Sequence, residues 1–455
     1  MKRSIPAAAA LAAVASLALA ACSGGTGGGT AASQPPAASA GATTAADSLC
    51  GTGNVTLTVS GWSLSTTPEF KKLADAFHAK CSNVTVQVKE YDASNYSTLI
   101  TADLAANAGP DIITQKEVKY VTTFVSGNQL LDVSDLTSQL DPQLSGLKSY
   151  QVDGKQYAIP YRQDSWVLFY NKDLFDKAKV AYPDGTWTWD DYVKAAKSLA
   201  TALQAGGNSS VFGTYEHSWQ STLQGFANAQ APNGGILTGD YSYMKPYYQR
   251  ALDLQNSKAQ IDFGSISTNK LTYQGQFGKQ KAAMMPMGSW YVATLIAQQA
   301  SGDADKFNWG FAPIPQYDSS TTGTSKTPVT FGDPTGFGIN AAIDKSKVAA
   351  AKGFLVFAAS ADAAKTLASI GITPALTTAD VASTYFATPG APTDALSKFA
   401  WTTHKTNPEN VTDPRTAQVQ SILNDAHTAI MSGSSSIDAA LAQAKQRVHD
   451  EVGIG

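Results

Sequence analysis

Residues 55–90, with the sequence VTLTVSGWSLSTTPEFKKLADAFHAKCSNVTVQVKE, decide the class of fold. Apolar residues alternate with polar ones at 55–59 and again at 84–88, which is the two-residue period of a β-strand. Between these runs, apolar residues from Phe70 to Phe77 recur at helical spacing, and Thr67-Pro68 predicts the helix start, with Thr as cap and Pro as first residue. Two strands joined by a helix of this length lie parallel, with a right-handed crossover.

The same alternation of helices and short apolar strands continues along the chain. Thr188–Asp191 resembles a capping box, and the apolar face that follows it predicts a helix. Residues 348–357 and 417–430 predict two more helices. About 400 residues follow residue 48, which is enough for more than one domain. The sequence therefore predicts an α/β protein with more than one lobe.

The amino terminus has the features of an export signal. Lys2 and Arg3 precede an apolar run, Ala7–Ala21, that is shorter than the roughly 20 residues of a membrane span. The run ends at Leu19-Ala-Ala-Cys22, which resembles the bacterial lipobox, whose Cys becomes the lipid-modified first residue. We therefore expect a signal peptide at 1–21 and lipidation of Cys22. The alternative is an ordinary signal peptide with an incidental cysteine.

Residues 22–48 carry almost no large apolar side chain. A Gly, Ala, Ser and Thr segment of this kind cannot bury enough surface to offset its chain entropy, so we expect a disordered tether. Beyond Cys22, the remaining cysteines are Cys50 and Cys81. An even pair in an exported chain favours a disulfide, with two free thiols as the alternative.

Charge and motifs narrow the possible functions. The chain has 33 Lys and Arg against 36 Asp and Glu, with no basic cluster after Arg3, so we expect no nucleic-acid partner. We expect contact with a membrane only through the lipid anchor. The common catalytic, nucleotide-binding and metal-binding motifs are absent, and the histidines lack metal-ligand spacing, which predicts no enzyme, no cofactor and no metal. Because glycoside hydrolysis needs only two carboxylates, a surface-anchored glycosidase stays open as an alternative.

Aromatic and polar residues occur together in several predicted loops. A sugar presents apolar C–H faces and a fringe of hydroxyl groups, so a sugar site combines flat aromatic rings with polar side chains. These loops contain Trp62, Tyr161–Asp164, His217 and Trp219, Trp290-Tyr291, Phe331–Phe337 and Trp401.

Motifs along most of the chain resemble one family. In chain order they are Gly109–Ile113 (GPDII), Val152–Pro160 (VDGKQYAIP), Leu168–Phe175 (LFYNKDLF), Thr186–Tyr192 (TWTWDDY), Phe277–Met285 (FGKQKAAMM), Gly288–Trp290 (GSW), Trp309–Pro315 (WGFAPIP) and Gly336–Ile339 (GFGI). Together they resemble the bacterial extracellular solute-binding proteins of sugar ABC importers, the maltose-binding-protein-like class.

The resemblance implies a two-lobed periplasmic-binding-protein fold, type II-like, with a hinge of crossing segments and a ligand cleft between the lobes. The crossings fall near 160–164, 308–313 and 370–375. Lobe 1 then comprises 49–161 and 312–372, and lobe 2 comprises 162–311 and 373–455.

The resemblance also implies a set of substrate-binding residues. Trp290 is at the stacking position of the G-x-W motif, with core packing as the alternative. Asp164 either accepts sugar hydroxyls or pairs with Arg162, and Asp333 either accepts hydroxyls or caps the turn before Pro334. The predicted substrate-binding residues are Trp62, Gln115, Tyr161, Gln163, Asp164, His217, Trp219, Ser289, Trp290 and Asp333.

The implied function is capture of a mono- or oligosaccharide by closure of the two lobes, followed by delivery to the permease subunits of an ABC transporter. A separate ATPase would supply the energy, since the chain has no phosphate-binding loop. We expect a monomer outside the cytoplasm, anchored to the outer face of the cell membrane. A non-sugar ligand, such as a polyol phosphate, a peptide or a polyamine, is the alternative.

Overall fold

The structure, a computed structural model, describes residues 49–205 and 210–455. The strands are β1 (Val55–Gly61), β2 (Val84–Glu90), β3 (Ile112–Gln115), β4 (Gln151–Val152), β5 (Lys155–Gln156), β6 (Ile159–Gln163), β7 (Trp166–Asn171), β8 (Phe212–Thr214), β9 (Ala282–Gly288), β10 (Trp309–Ala312), β11 (Val329–Phe331), β12 (Pro334–Ile339) and β13 (Lys405–Asn407). The α-helices are α1 (Glu69–Lys80), α2 (Tyr96–Ala105), α3 (Val121–Ser126), α4 (Lys172–Ala178), α5 (Trp189–Gln204), α6 (Ser221–Gln230), α7 (Lys245–Asn256), α8 (Phe263–Thr268), α9 (Tyr273–Phe277), α10 (Tyr291–Ser301), α11 (Val348–Ala358), α12 (Ala361–Ala368), α13 (Ala379–Phe386), α14 (Ala395–Thr402), α15 (Thr416–Met431) and α16 (Ile437–Arg447). Short 3₁₀ turns lie at Val118–Tyr120, Ser134–Gln139, Leu147–Tyr150, Ser242–Met244 and Lys345–Lys347, and a π-helical turn at Val448–Val452.

Two larger sheets organise these elements. The first has the strand order β2-β1-β3-β12-β6, and the second has the order β10-β7-β9-β8. In the first sheet, β1 pairs in parallel with β2 and β3, whereas β12 is antiparallel to its neighbours β3 and β6. Strands β7, β9 and β12 are buried along their whole length, as expected where helices cover both faces of a sheet. The predicted α/β class is confirmed.

The predicted βαβ unit is present as β1, α1 and β2, and β1 and β2 are parallel. The expected start of its helix is wrong. Pro68 occupies the cap position with φ −79° and ψ 12°, and the cap makes no side-chain hydrogen bond. Helical geometry thus begins one residue later, at Glu69, because Pro68 with ψ 12° lies outside the helical region of the backbone.

Three other local predictions are confirmed. Thr188 and Asp191 form a reciprocal capping box at the start of α5. The helices predicted at 348–357 and 417–430 are α11 and α15. Phe77 of α1 packs against Phe354 and Phe357 of α11, at ring distances of 5.3 and 5.4 Å, so α11 covers the first sheet beside α1.

The chain crosses between the two larger sheets at several places, by connections of different length. Only Asp164 and Ser165 separate β6 of the first sheet from β7 of the second. The chain leaves the second sheet after β10 and re-enters the first at Pro334, so residues 313–333 belong to neither larger sheet. Residues 373–375 run beside β6, with hydrogen bonds from Gln163 N to Thr373 O and from Ala375 N to Tyr161 O. The exact lobe boundaries stay predictions.

Cys50 and Cys81 form a disulfide that joins the segment before β1 to the end of α1, with Cα atoms 5.2 Å apart. The predicted signal peptide, Cys22 and the tether lie outside the described residues. Within the ranges that are described, no helix combines the length and the apolar character needed to cross a membrane.

Candidate functional site

A pocket opens between the two sheets. It has about 450 Å³ of empty space, including its open mouth. On the side of the first sheet, the pocket is lined by the loop after β1, the start of α1 and Arg162. On the side of the second sheet, it is lined by α9 and the start of α10. Its lining residues are Trp62, Ser63, Thr66, Thr67, Glu69, Arg162, Tyr273, Gln274, Trp290, Thr294 and Ile372. Both sheets therefore contribute side chains to one site.

Three aromatic rings give this pocket its flat surfaces. Trp62 follows β1 directly and is held edge-on by Phe70 and Tyr96, at ring distances of 5.0 and 5.1 Å. Trp290 precedes α10 and packs edge-to-face against Trp166 at 5.6 Å. Tyr273 is the first residue of α9, and burial raises the pKa of its hydroxyl to about 12, so this hydroxyl stays protonated and can donate a hydrogen bond.

A buried ionic network forms the floor of the pocket. Arg162 Nη1 donates to Glu69 Oε2 at 2.6 Å, and Arg162 Nε lies 2.8 Å from Asp164 Oδ2. The second contact is an ion pair without hydrogen-bond alignment, since Nε has no hydrogen-bond partner among the described residues. Glu69, Arg162 and Asp164 are only 1, 8 and 4% exposed. The network therefore holds one cation and two carboxyl groups away from water.

The network continues into both sheets. Tyr161 Oη donates to Glu69 Oε1 at 3.0 Å, and its ring stacks on Phe337 of β12 at 4.3 Å. Ser289 Oγ, at the end of β9, donates to Asp164 Oδ1 at 2.9 Å. Burial raises the pKa of Asp164, although Arg162 and Ser289 act in the opposite direction. This network therefore joins the first sheet to the second directly behind the pocket.

Asp333 belongs to a different cluster. Its carboxylate accepts hydrogen bonds from Glu409 N, Asn410 N and Asn410 Nδ2, at 2.9, 3.1 and 2.6 Å, and these tie the loop after β13 to the start of β12. Glu409 in turn accepts a short hydrogen bond from Ser221 Oγ. Burial raises the pKa of Asp333 to about 6 and that of Glu409 to about 7, and for Glu409 the nearby Asp333 adds to the rise. Because Asp333 accepts three N–H groups, we expect Glu409 to keep the proton that the pair shares.

His217 and Trp219 form a stacked pair with ring centres 4.3 Å apart, and Trp219 is 41% exposed. Trp219 also lies edge-on to Tyr273 at 5.7 Å, so an aromatic surface extends outward from the pocket. His217 lines a separate, smaller cavity together with Glu216 and His427. Burial lowers the pKa of His217 to about 4, so its ring is neutral at physiological pH.

The structure thus separates the predicted site residues into groups. Trp62 and Trp290 line the pocket, while Tyr161, Asp164 and Ser289 lie behind it. Asp164 makes the ion pair with Arg162 that was one of its two predicted roles, and Asp333 binds the loop after β13 instead of capping its own turn. Contact of any of these residues with ligand stays a prediction.

Gln115 and Gln163 are not among the pocket-lining residues. Gln115 is 1% exposed and lies against Gly338, and its side-chain amide has no hydrogen-bond partner in the described ranges. Gln163 Nε2 donates to Asp164 O at 3.1 Å. Gln115 was predicted because it ends a strand, and Gln163 because it lies at the hinge crossing that the family resemblance implies. In the structure Gln115 pairs with Gly336 of β12, and Gln163 pairs with Pro334.

Several residues that line the pocket are absent from the set predicted from the sequence. Ser63, Thr66, Thr67 and Glu69 could have been found, because they lie between the carboxyl end of β1 and the first turn of α1, where open α/β sheets bind ligands. Tyr273 and Gln274 are on a helix of five residues. No local pattern marks such a short helix as part of a cleft.

In residues 49–205 and 210–455, no group of three or more His, Cys, Asp or Glu side chains is arranged to hold a metal ion. The pocket lining offers aromatic faces, hydroxyl groups, an amide, a guanidinium group and the carboxyl group of Glu69. Such a lining suits a ligand with apolar faces and many hydroxyl groups.

Several known proteins are similar to this chain in sequence or in structure. The profile of the bacterial extracellular solute-binding protein family matches residues 63–365. A sugar transporter protein of Rhizobium etli, solved in an open conformation, is 32% identical with a TM-score of 0.72 and covers 87% of this chain and 99% of its own. The melibiose/raffinose/stachyose-binding protein of Bacillus subtilis is 25% identical over 262 residues, 54% of this chain and 59% of the relative. A binding protein of Brucella abortus is 24% identical over 288 residues, 62% of this chain and 67% of the relative. The two-lobed fold predicted from the sequence is confirmed.

Proposed function

This chain belongs to the bacterial extracellular solute-binding proteins, a family of substrate-binding proteins and not of enzymes, and we propose that it captures a carbohydrate for an ABC importer. The observation that carries this proposal is the pocket between the two sheets, where Trp62 and Trp290 lie among hydroxyl and amide groups. Aromatic faces stack on the C–H surfaces of a pyranose ring, and the polar groups bind its hydroxyls. The related sugar transporter protein and the melibiose/raffinose/stachyose-binding relative support this proposal.

Capture proceeds by closure of the two lobes. A ligand that contacts Trp62 on one side and Trp290 on the other favours the closed arrangement, because only closure lets both sides bind it at once. The connection at Asp164-Ser165 and the strands beside it provide the hinge. No bond of the ligand is broken, and the closed form is recognised by the permease subunits, for which a separate ATPase supplies energy.

The protein is held at the outer face of the cell membrane by a lipid on Cys22, after removal of residues 1–21, and it acts as a monomer. Metabolic labelling with a palmitate analogue tests the anchor. Label should appear on the wild-type chain and be lost in Cys22→Ser. Label retained in Cys22→Ser contradicts the anchor without affecting the proposed ligand.

A thermal-shift screen of the domain from residue 49 over mono- and oligosaccharides tests the ligand class. At least one saccharide should raise the melting temperature, and chromatography of the recovered ligand should show it unchanged. A rise with peptides, polyamines or polyol phosphates and none with saccharides contradicts the carbohydrate assignment. Release of a shorter saccharide would indicate a glycosidase instead.

A further inference from the structure

Arg162 is the one cationic side chain among the residues that line the pocket in the described parts of the chain. An arginine in a ligand pocket usually attracts carboxylates or phosphates, because its charge and paired N–H groups match them. Here two carboxyl groups already contact it. Glu69 approaches Nη1 at 2.6 Å and Asp164 approaches Nε at 2.8 Å.

The positions of both carboxyl groups are fixed by further hydrogen bonds. Tyr161 Oη donates to the free oxygen of Glu69 at 3.0 Å, and Ser289 Oγ donates to the free oxygen of Asp164 at 2.9 Å. Because all three charged side chains are at least nine-tenths buried, solvent screens their interaction weakly. Neither carboxyl group can therefore move aside easily when a ligand enters.

From these contacts we infer that Glu69 and Asp164 make the pocket selective for uncharged over anionic saccharides, by compensating the charge of Arg162. This inference rests on the proposed function and specifies the substrate class of the same site. With both carboxyl groups ionised, the network has a net charge of −1. Burial favours a proton on Asp164, and with that proton the net charge is zero. In neither state does the network offer positive charge to an anion.

Arg162 nevertheless keeps a role as a donor. Its Nη2 makes no hydrogen bond to any residue in 49–205 or 210–455, and its side chain is part of the pocket lining. It can therefore donate to a sugar hydroxyl, which needs a directional N–H group and no charge balance. Lys116 is a second cation nearby, but its Nζ is bound to Ala93 O and lies 5.6 Å from the centre of the Trp62 ring. It is not among the lining residues.

The test compares uncharged and anionic ligands in charge-neutralised variants. The variants are Glu69→Gln, Asp164→Asn and the double variant, in which the amides keep the shape of the carboxylates. The probes are the best neutral saccharide from the screen, the uronic acids D-glucuronate and D-galacturonate, and inorganic phosphate. Dissociation constants are measured by isothermal titration calorimetry at low and at physiological salt. Asp75→Asn, which removes a 60%-exposed carboxylate from the same helix as Glu69, is the control for net charge.

The wild type and Asp75→Asn should bind the neutral saccharide and none of the anions. In the double variant, affinity for at least one anion should rise relative to the neutral saccharide by about tenfold or more, as expected for one uncompensated charge in a partly buried site. Each single variant should show a smaller change in the same direction. The measure of charge compensation is therefore the ratio of the affinity for the anion to the affinity for the neutral saccharide. A general loss of stability would weaken both affinities and would not change this ratio in favour of the anion.

An unchanged ratio in the folded single variants overturns the inference, and so does tight binding of a uronate or phosphate by the wild type. If the double variant does not fold, the two single variants decide the question. Failure of the proposed function is a separate result, since it is the absence of any saccharide binding by the wild type. Even in that case, the inference still requires that the anions bind to the variants more tightly than they bind to the wild-type protein.

Discussion

The indole ring of Trp290 lies directly against the backbone of Gly288, where a Cβ atom would come within 1.9 Å of Trp290 Cζ3. Gly288 is the last residue of β9 and Trp290 stands just before α10, so the ring folds back over the strand that leads to it. The two ends of the G-x-W motif are thus one structural unit. The glycine leaves space for the ring, and the ring becomes a wall of the pocket.

Gly288→Ala is therefore expected to weaken saccharide binding, although the substitution itself removes no side chain from the pocket. The new methyl group would overlap the indole, which must turn away from its present position. Calorimetry with the screened saccharide should show an affinity loss comparable to that of Trp290→Ala. Gly264→Ala is the control, because its Cβ would meet only Asp262 Oδ1, at 3.3 Å. Wild-type affinity in a folded Gly288→Ala protein would contradict the proposed unit.

Trp290→Ala should cost about 1–3 kcal/mol of binding free energy, the usual range for an aromatic anchor in a binding site. Trp290→Phe should retain part of that energy, because a smaller flat ring remains. Tyr317→Ala removes an aromatic side chain that is 45% exposed and outside the pocket lining, so it should leave the dissociation constant unchanged. Equal affinities of Trp290→Ala and the wild type would remove this residue from the site.

Removal of the disulfide should lower stability without changing ligand specificity. Cys50 and Cys81 are 31 residues apart, and closing a loop of that length contributes about 3–4 kcal/mol in the chain-entropy view. The double variant Cys50→Ser/Cys81→Ser should therefore unfold at lower denaturant concentration, and reductant should shift only the wild type. The two cysteines do not line the pocket. A changed order of saccharide affinities in the double variant would therefore contradict the prediction that the disulfide affects only stability.

The Asp333 and Glu409 pair should make stability depend on pH. Their ordinary pKa values are 3.8 and 4.5, and burial raises them to about 6 and 7 in the folded protein. Since the folded protein holds protons that the unfolded chain has released, the contribution of the pair to stability is full below about pH 4 and is lost as pH rises through 6 to 7. Glu409→Gln should flatten the decline of the melting temperature between pH 5 and 8.

The control for that experiment is Asp438→Asn, since the Asp438 side chain is 72% exposed and remote from the pair in sequence. It should keep the wild-type pH profile. A Glu409→Gln protein whose melting temperature falls with pH as steeply as that of the wild type would show that Glu409 does not retain a proton. Asp333→Asn then distinguishes which member of the pair titrates.

Local patterns in the sequence determined much of the fold. The alternating runs at 55–59 and 84–88 became parallel strands, and the capping box at Thr188 began a helix, because these features depend on neighbours a few residues away. The ordered motifs along the chain indicated the two-lobed family. At Pro68 the local pattern was wrong by one residue, since Pro68 has a non-helical backbone conformation and stands at the cap position instead of inside the helix.

Tertiary structure alone decided which polar and aromatic residues form the pocket. Arg162 meets Glu69 across 93 residues of sequence, and Tyr273 comes within ring contact of Trp219 only when separate segments pack together. The sequence pattern of an element reports which of its faces is buried, and it does not report which distant side chain shares that space. For this reason the sequence indicated the G-x-W motif as a binding feature, while only the folded chain showed that Gly288 leaves space for the ring of Trp290 and that Glu69 forms an ion pair with Arg162.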